Sequence, residues 1–146
     1  MELTKMTIQD YDAVYGLWIS TPGMGLNSLD DSYEGIARYL DRNPNTCFVM
    51  RDGSEVVGAI LSGHDGRRAY IHHAAVKTSA RRKGIGRRLV ERAIDALRAE
   101  GITKVAFVVF KTNAIGNSFW QSLGFDERCD LVYRNKIISE KEMVKV

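Results

Sequence analysis

The chain is poor in the features that mark secreted, metal-bound and membrane-spanning proteins. Its 146 residues include two cysteines, Cys47 and Cys129, which lie far apart and outside any Cys-x-x-Cys motif. This spacing argues against a disulfide framework and against a zinc site, so we expect no metal and a reducing, cytoplasmic location. No apolar run approaches the ~20 residues that a membrane helix needs. The first residues also lack the basic and apolar segments of a signal peptide, so we expect no leader.

The chain is also poor in proline, and its basic and acidic residues are nearly equal in number. The chain has 2 Pro, 45% hydrophobic and 27% charged residues, a composition that excludes wholesale disorder and favours one globular domain over residues 1–146. The net charge of +3 is too small for a general nucleic-acid binder, yet five of the eight residues 81–88 are basic. This basic cluster indicates one anionic ligand, and the alternative is a solvated helix face.

Apolar spacing predicts the order of the elements. A first strand precedes a helix that begins after Thr7, and a second helix follows with Asp30, Asp31 and Ser32 as competing N-caps. Residues 46–76 predict a three-stranded antiparallel meander. A helix after Gly84, a buried strand at 104–110, a helix capped by Asn113 and a last strand within 125–138 complete the chain. This order predicts an α/β (α+β) fold, with one mixed sheet and helices on its faces.

The chemistry is concentrated in residues 76–86, a glycine-containing loop between a strand and a helix. Gly84 and Gly86 allow a close backbone approach to a ligand, and the first N–H groups of the next helix have no intrahelical acceptor. Such a turn suits a phosphate or pyrophosphate, and it matches neither the dinucleotide-binding nor the Walker motif. Four basic side chains flank it: Arg81, Arg82, Lys83 and Arg87.

Two segments resemble the GNAT family of N-acetyltransferases. Residues 81–86 resemble its Gln/Arg-x-x-Gly-x-Gly/Ala signature, and residues 113–125 resemble its Asn-x-x-Ala-x-x-Phe-Tyr-x-x-x-Gly-Phe segment. The predicted element order agrees over nearly the whole chain. The resemblance implies the single-domain acyl-CoA N-acyltransferase fold, mostly antiparallel and splayed between its fourth and fifth strands, and an acetyl-CoA-dependent enzyme.

The resemblance also implies the positions of the ligands. The pantetheine arm would pair with the fourth strand at Ala74, Ala75 and Val76, and the pyrophosphate would lie on the loop. The implied coenzyme set is completed by Arg81, Arg82, Lys83, Gly84, Ile85, Gly86, Arg87, Asn113 and Trp120. The acceptor amine would lie at the connection of the first two helices, beside Trp18, Met24 and Asn27. The alternative for that connection is an ordinary helix–helix link.

Amide formation needs direct attack of an amine on the thioester, so no covalent enzyme intermediate is required. The protein must orient the reactants, polarise the thioester oxygen, for which an N–H near Ala74 is suited, and move protons. His72 and His73 fall on the fourth strand, where alternation allows one of them to face the cleft. We favour His72 as the base. A bulge would reverse this choice, and the alternative is that both are packing or surface residues.

The sequence departs from the family where a Tyr often protonates the leaving thiolate. Trp120 stands there, and an indole N–H is no practical proton donor. Tyr133, on the predicted final strand, is the nearest remaining phenol. The alternatives are that Tyr133 is a sheet residue, or that the thiolate leaves unassisted or takes its proton from water.

Two other functions compete with an acetyltransferase. One is a non-catalytic acyl-CoA sensor, and the other is a nucleic-acid module that uses residues 81–88, although these lack interleaved aromatic side chains. We expect acetyl-CoA and an amine acceptor as ligands, no membrane association, no nucleic acid, and a monomer or homodimer.

Overall fold

The computed structural model describes residues 1–141 and 143–144, and it divides into two compact units. The first unit comprises Met1–Phe107 with Glu142–Val146, and the second comprises Val108–Lys141. The expectation of one domain over residues 1–146 stays a prediction.

The first unit contains most of the regular structure. Its elements are β1 (Glu2–Lys5), α1 (Tyr11–Ile19), β2 (Leu26–Asn27), α2 (Tyr33–Arg42), β3 (Phe48–Asp52), β4 (Glu55–His64), β5 (Ala69–Val76), α3 (Ile85–Ala99), β6 (Val105–Ala106) and β7 (Met143–Val144). Short 3-10 turns precede α1 at Ile8–Asp10 and follow β5 at Thr78–Ala80.

A five-stranded mixed sheet forms the centre of this unit, in the order β1-β3-β4-β5-β6. Strands β3, β4 and β5 make the predicted antiparallel meander, and β6 is parallel to β5. The parallel ladder joins Ala69 to Val105 and Tyr70 to Ala106, and it ends there. Most of β5 therefore lies beyond its ladder with β6, so the fourth and fifth strands of the sheet pair over only two residues.

Helices cover both faces of the sheet, which confirms the predicted fold class. Helices α1 and α2 pack Trp18, Ile36 and Leu40 with the β-strand residues Val49 and Ala59 into one core. Burial of these side chains supplies the main drive for packing this face. On the other face α3 packs closely on β4, because Gly58 has no side chain to keep it away.

A second, two-stranded sheet joins distant parts of the first unit. Strand β2, in the connection between α1 and α2, pairs antiparallel with β7 through Leu26↔Val144 and Asn27↔Met143.

Two strand predictions were wrong. The expected strand at 104–110 is confined to Val105–Ala106, because its ladder with β5 covers two residues. The second unit, every residue of which is described, contains the predicted helix as α4 (Ala114–Ser122) and no strand in 125–138. Tyr133 is therefore not a strand residue. β-Propensity reflects packing against cross-strand neighbours, and this segment has no ladder partner among the described residues.

Candidate active site

A β-bulge shapes the middle of β5. Leu61 of β4 pairs with His73, but the next residue, Ser62, pairs with Ile71. His72 is thus the extra residue of the bulge, where regular alternation of side chains is interrupted. The ring of His72 contacts Tyr39 of α2, and that of His73 contacts Trp18 of α1. Both imidazoles therefore lie on the α1/α2 face. The bulge removes the choice that regular alternation imposed between them, and it does not simply reverse that choice from His72 to His73.

His72 is exposed, yet its ring lies among aromatic neighbours. Its centroid is 5.3 Å from that of Tyr39 and 4.8 Å from that of Tyr70. Desolvation lowers the pKa of His72 below its ordinary 6.5, repulsion between the two imidazoles when both are protonated adds to this, and Asp31 and Asp30 oppose the shift. The neutral imidazole, which can accept a proton, is consequently the main form at pH 7.

His73 is held in a buried pair with Asp31. Its Nε2 lies 2.8 Å from Oδ1 of Asp31, and the side chains are 10% and 6% exposed. The other carboxylate oxygen accepts from the backbone N–H of Asn27 at 2.9 Å, and the Asp31 carbonyl accepts from the Tyr11 hydroxyl at 2.6 Å. Asp31 is available for this role because Ser32 caps α2, accepting from the N–H of Gly35.

Trp18 lies against this pair rather than in an open cleft. Its ring centroid is 4.7 Å from that of His73, and the residue is 1% exposed. Within the described part of the chain, four buried side-chain atoms have no hydrogen-bond partner. Three of them belong to the residues around the two histidines: Trp18 Nε1, Tyr39 OH and His73 Nδ1.

The loop between β5 and α3 has the geometry of an anion-binding turn. Gly84 adopts φ +76° at the N-cap of α3, and a Cβ placed there would meet no atom within 4 Å. No side chain caps this helix. The N–H of Arg88 donates to the Gly84 carbonyl and so makes the first hydrogen bond of the helix. Buried Ile85 anchors the turn to the core. The loop thus presents backbone N–H groups and a positive dipole end to a ligand.

The remaining predicted coenzyme residues of the first unit surround this turn. Ala75 is buried in the α1/α2 core, so on this strand the backbone is the available ligand surface. The Nε of Arg81 donates to the Val76 carbonyl at 3.4 Å, which ties the loop to the end of β5. The exposed basic side chains are Arg81, Arg82, Lys83 and Arg87.

The residues predicted to border the acceptor amine make contacts within the protein itself. Met24 packs against the α1/α2 core. The side chain of Asn27 stabilises its own turn, where Oδ1 accepts from the N–H groups of Leu29 and Asp30 at 3.0 and 2.7 Å. Contact of these residues with an amine stays a prediction.

Three predicted residues belong to the second unit. Asn113 caps α4, accepting from the N–H of Gly116 at 2.9 Å. Trp120 packs edge-on against Phe119 and Phe125, with centroids 5.0 and 5.2 Å away. Tyr133 lies in irregular structure.

Sequence reasoning missed the role of Asp31. Its position before a helix suggested an N-cap, and its partner His73 lies 42 residues further along the chain. The adjacent histidines were a visible signal, but neither the bulge nor the long-range contact follows from local patterns.

The mixed sheet whose fourth strand in order, β5, leads through a glycine turn into α3 is the arrangement that the resemblance in the sequence implied. The chain belongs to the acetyltransferase (GNAT) family, whose model matches residues 11–125. It is similar to an acetyltransferase of Pectobacterium atrosepticum, with 25% identity over 142 residues that cover 97% of this chain and 99% of the relative. An acetyltransferase of Photorhabdus laumondii is 26% identical over 148 aligned positions, with the same coverage.

Solved structures share this fold. The PaiA N-acetyltransferase of Thermoplasma acidophilum, in complex with coenzyme A, has a TM-score of 0.73 at 19% identity, covering 84% of this chain and 87% of that one. Naa20 of Chaetomium thermophilum, in complex with a bisubstrate analogue, has a TM-score of 0.71 at 20% identity, covering 84% and 70%. The family and these named relatives make the protein an acyltransferase. No helix within the described residues is long and apolar enough to cross a membrane.

Proposed function

We propose that the protein is an acetyl-CoA-dependent N-acetyltransferase in which a primary amine attacks the thioester directly. The observation that carries this proposal is the left-handed Gly84 turn at the start of α3, with uncommitted N–H groups and a basic flank. The turn is open on the side where a side chain would stand, because no atom lies within 4 Å of a Cβ built on Gly84. Family membership adds the reaction class.

In this mechanism the residues of the chain orient the two reactants, polarise the thioester oxygen and move the protons. The bound coenzyme supplies the activated acetyl group. The backbone of Ala74, Ala75 and Val76 would hold the pantetheine arm beyond the end of the β5–β6 ladder. An N–H near Ala74 would donate to the thioester oxygen. His72 would accept a proton from the amine, which suits its lowered pKa.

Other assignments complete the proposal. Met24 and Asn27 would border the acceptor amine, and Trp18, which is buried against His73, would support that site from the core. Asn113 and Trp120 would contribute to coenzyme binding, and Tyr133 would protonate the thiolate. Each of these roles follows from the family resemblance and is tested by substitution.

The test measures coenzyme binding and thiol release separately. Calorimetry should show that Gly84→Glu loses acetyl-CoA affinity, because a side chain and a negative charge would enter the phosphate turn. Gly66→Glu is the matched control, since Gly66 also has positive φ (+91°) and open space, but lies in the turn between β4 and β5. Equal affinity in the two variants would contradict the assignment.

Thiol release from acetyl-CoA is then followed with a panel of amines, polyamines, amino acids and peptides. We expect release that depends on at least one amine and that Gly84→Glu abolishes. Coenzyme binding without release for any amine would favour the acyl-CoA sensor instead.

A further inference from the structure

One ring nitrogen of the Asp31–His73 pair, His73 Nδ1, has no hydrogen-bond partner among the described residues, and a purely structural role does not account for this. His73 Nε2 bonds to Asp31, but the buried Nδ1 has no partner among the described residues. His64 gives the contrast. Its Nε2 lies 2.7 Å from Oε1 of Glu100, and its Nδ1 accepts from the N–H of Gly66 at 2.9 Å. The chain can therefore satisfy both nitrogens of a histidine, and at His73 it leaves one open.

An unsatisfied buried acceptor is costly. Folded proteins pair nearly all such atoms, and each exception calls for an explanation such as a catalytic role or an ordered water. The open atom belongs to the residue next to His72, which is the base of the proposed mechanism. Trp18, packed on the same imidazole, shields it from bulk solvent.

The hydrogen bonds around Asp31 determine which nitrogen of His73 is basic. A carboxylate accepts hydrogen bonds and does not donate them. Asp31 already accepts from the Asn27 N–H, so its bond to His73 requires the proton on Nε2. The lone pair is then on Nδ1, and the imidazole is fixed in a tautomer suited to accept a proton there.

We propose that His73, held by Asp31, is a second proton acceptor of the acetyl-transfer site, alongside His72. This inference rests on the proposed function. An ammonium group must lose two protons to become an amide nitrogen, one before attack and one after the N–C bond has formed. His72 takes the first, and His73 Nδ1 takes the second, directly or through one water. The C–S bond breaks, the thiolate takes up one proton, and the other returns to solvent.

The test compares variants that keep the shape of the pair. In His73→Gln the amide N–H can still donate to Asp31, but no basic nitrogen remains. We expect kcat to fall about 100-fold, the scale of general base catalysis, with acetyl-CoA affinity and the melting temperature unchanged. Asp31→Asn offers an N–H to Nε2 and so reverses the tautomer. It should lose kcat as well, and the double variant should lose no more than either single one.

His64→Gln is the matched control, because it disrupts a histidine–carboxylate pair whose Nδ1 is already satisfied. It should keep the wild-type kcat. Nitrogen NMR of the resting protein supplies a readout that does not depend on activity. His73 Nδ1 should be unprotonated in the wild type and protonated in Asp31→Asn.

The outcomes separate this inference from the proposed function. If the wild type acetylates an amine and His73→Gln matches its kcat, the role of His73 is overturned and the function stands. A proton on Nδ1 in the wild type overturns it equally. If the wild type acetylates no amine in the panel, the proposed function fails, and this role fails with it.

Discussion

At the scale of single residues, the bulge in β5 decides how the site is built. An inserted residue places adjacent histidines on one face of a sheet, where alternation would separate them. Their surroundings then differ sharply. His72 is exposed among aromatic rings, whereas His73 is buried against Trp18 and bonded to Asp31.

The pH dependence of catalysis should report on His72. Because its pKa lies below 6.5, the imidazole loses its proton as pH rises through that lowered value, and the rise of kcat/KM that His72 causes should be centred below pH 6.5. His72→Gln should lower the plateau above this rise about 100-fold. A full pH profile of kcat/KM with one acceptor amine measures both effects.

The lowered pKa of His72 also makes the free energy of unfolding depend on pH, because the folded and unfolded chains bind this proton with different affinity. Below pH 6.5 the unfolded chain binds a proton at His72 more readily than the folded protein, so this contribution to folding is lost as pH falls. His72→Gln should therefore flatten the acid side of the stability curve. An unchanged curve and an unchanged kcat/KM profile would together remove His72 from the mechanism.

The sequence predicted the glycine turn before α3 and drew attention to the two adjacent histidines, but it could not place the histidines on a face of the sheet. The glycine turn could be predicted from the sequence because Gly84, the basic residues beside it and the start of α3 are neighbours in the chain. Asp31 and His73 meet through tertiary packing, and the bulge that aims both histidines is a property of two strands together.

At the scale of elements, the close packing of α3 on β4 positions the turn at Gly84, which is proposed to bind the coenzyme. A Cβ at Gly58 would lie 2.9 Å from Cγ2 of Ile85 and 3.0 Å from Cδ1 of Leu89. Ile85 is the first residue of α3, directly after the Gly84 turn. The missing side chain in β4 therefore sets the distance between the sheet and the end of the helix that is proposed to bind the diphosphate.

Adding one methyl group at Gly58 should displace this turn. Gly58→Ala should cost about 1–3 kcal/mol, typical of overpacking, and should weaken acetyl-CoA binding in calorimetry. Gly16→Ala is the control, because Gly16 lies exposed in α1 with no atom within 4 Å of a built Cβ. Chemical denaturation of both variants checks the stability. If Gly58→Ala is as stable and binds as tightly as Gly16→Ala, the packing argument is wrong.

Elements with strong local patterns were predicted well, and those that depend on partners were not. The amphipathic helices and the meander carry their own periodicity. The strand expected in 125–138 relied on composition alone, and the one at 104–110 is limited by how far β5 and β6 pair.

At the scale of the whole molecule, charge is divided along the chain. Residues 6–37 carry five carboxylates and no Lys or Arg, whereas residues 81–88 carry five basic side chains. The first segment contains the proposed acceptor residues, and the second contains the proposed diphosphate turn. This division favours an anionic coenzyme and a cationic acceptor.

Ionic strength should therefore affect both substrates. Raising salt from 0.01 M to 1 M shortens the screening length from about 30 Å to about 3 Å, so KM should rise for acetyl-CoA and for a diamine acceptor. A monoamine with a neutral chain of equal length should be less sensitive. Steady-state kinetics over a salt series checks this, and equal slopes for the two acceptors would exclude electrostatic recognition of the second charge.

The pairing of β2 with β7 has a consequence for the order of folding. Residues 26 and 144 are separated by nearly the entire chain, so closing this contact costs more loop entropy than any hairpin of the central sheet. Two strands of two residues each return little for that cost, and contacts of such high sequence separation form late. The connection that carries Asp31 is thus fastened only after the central sheet has formed, and it is expected to be among the first segments to open to hydrogen exchange.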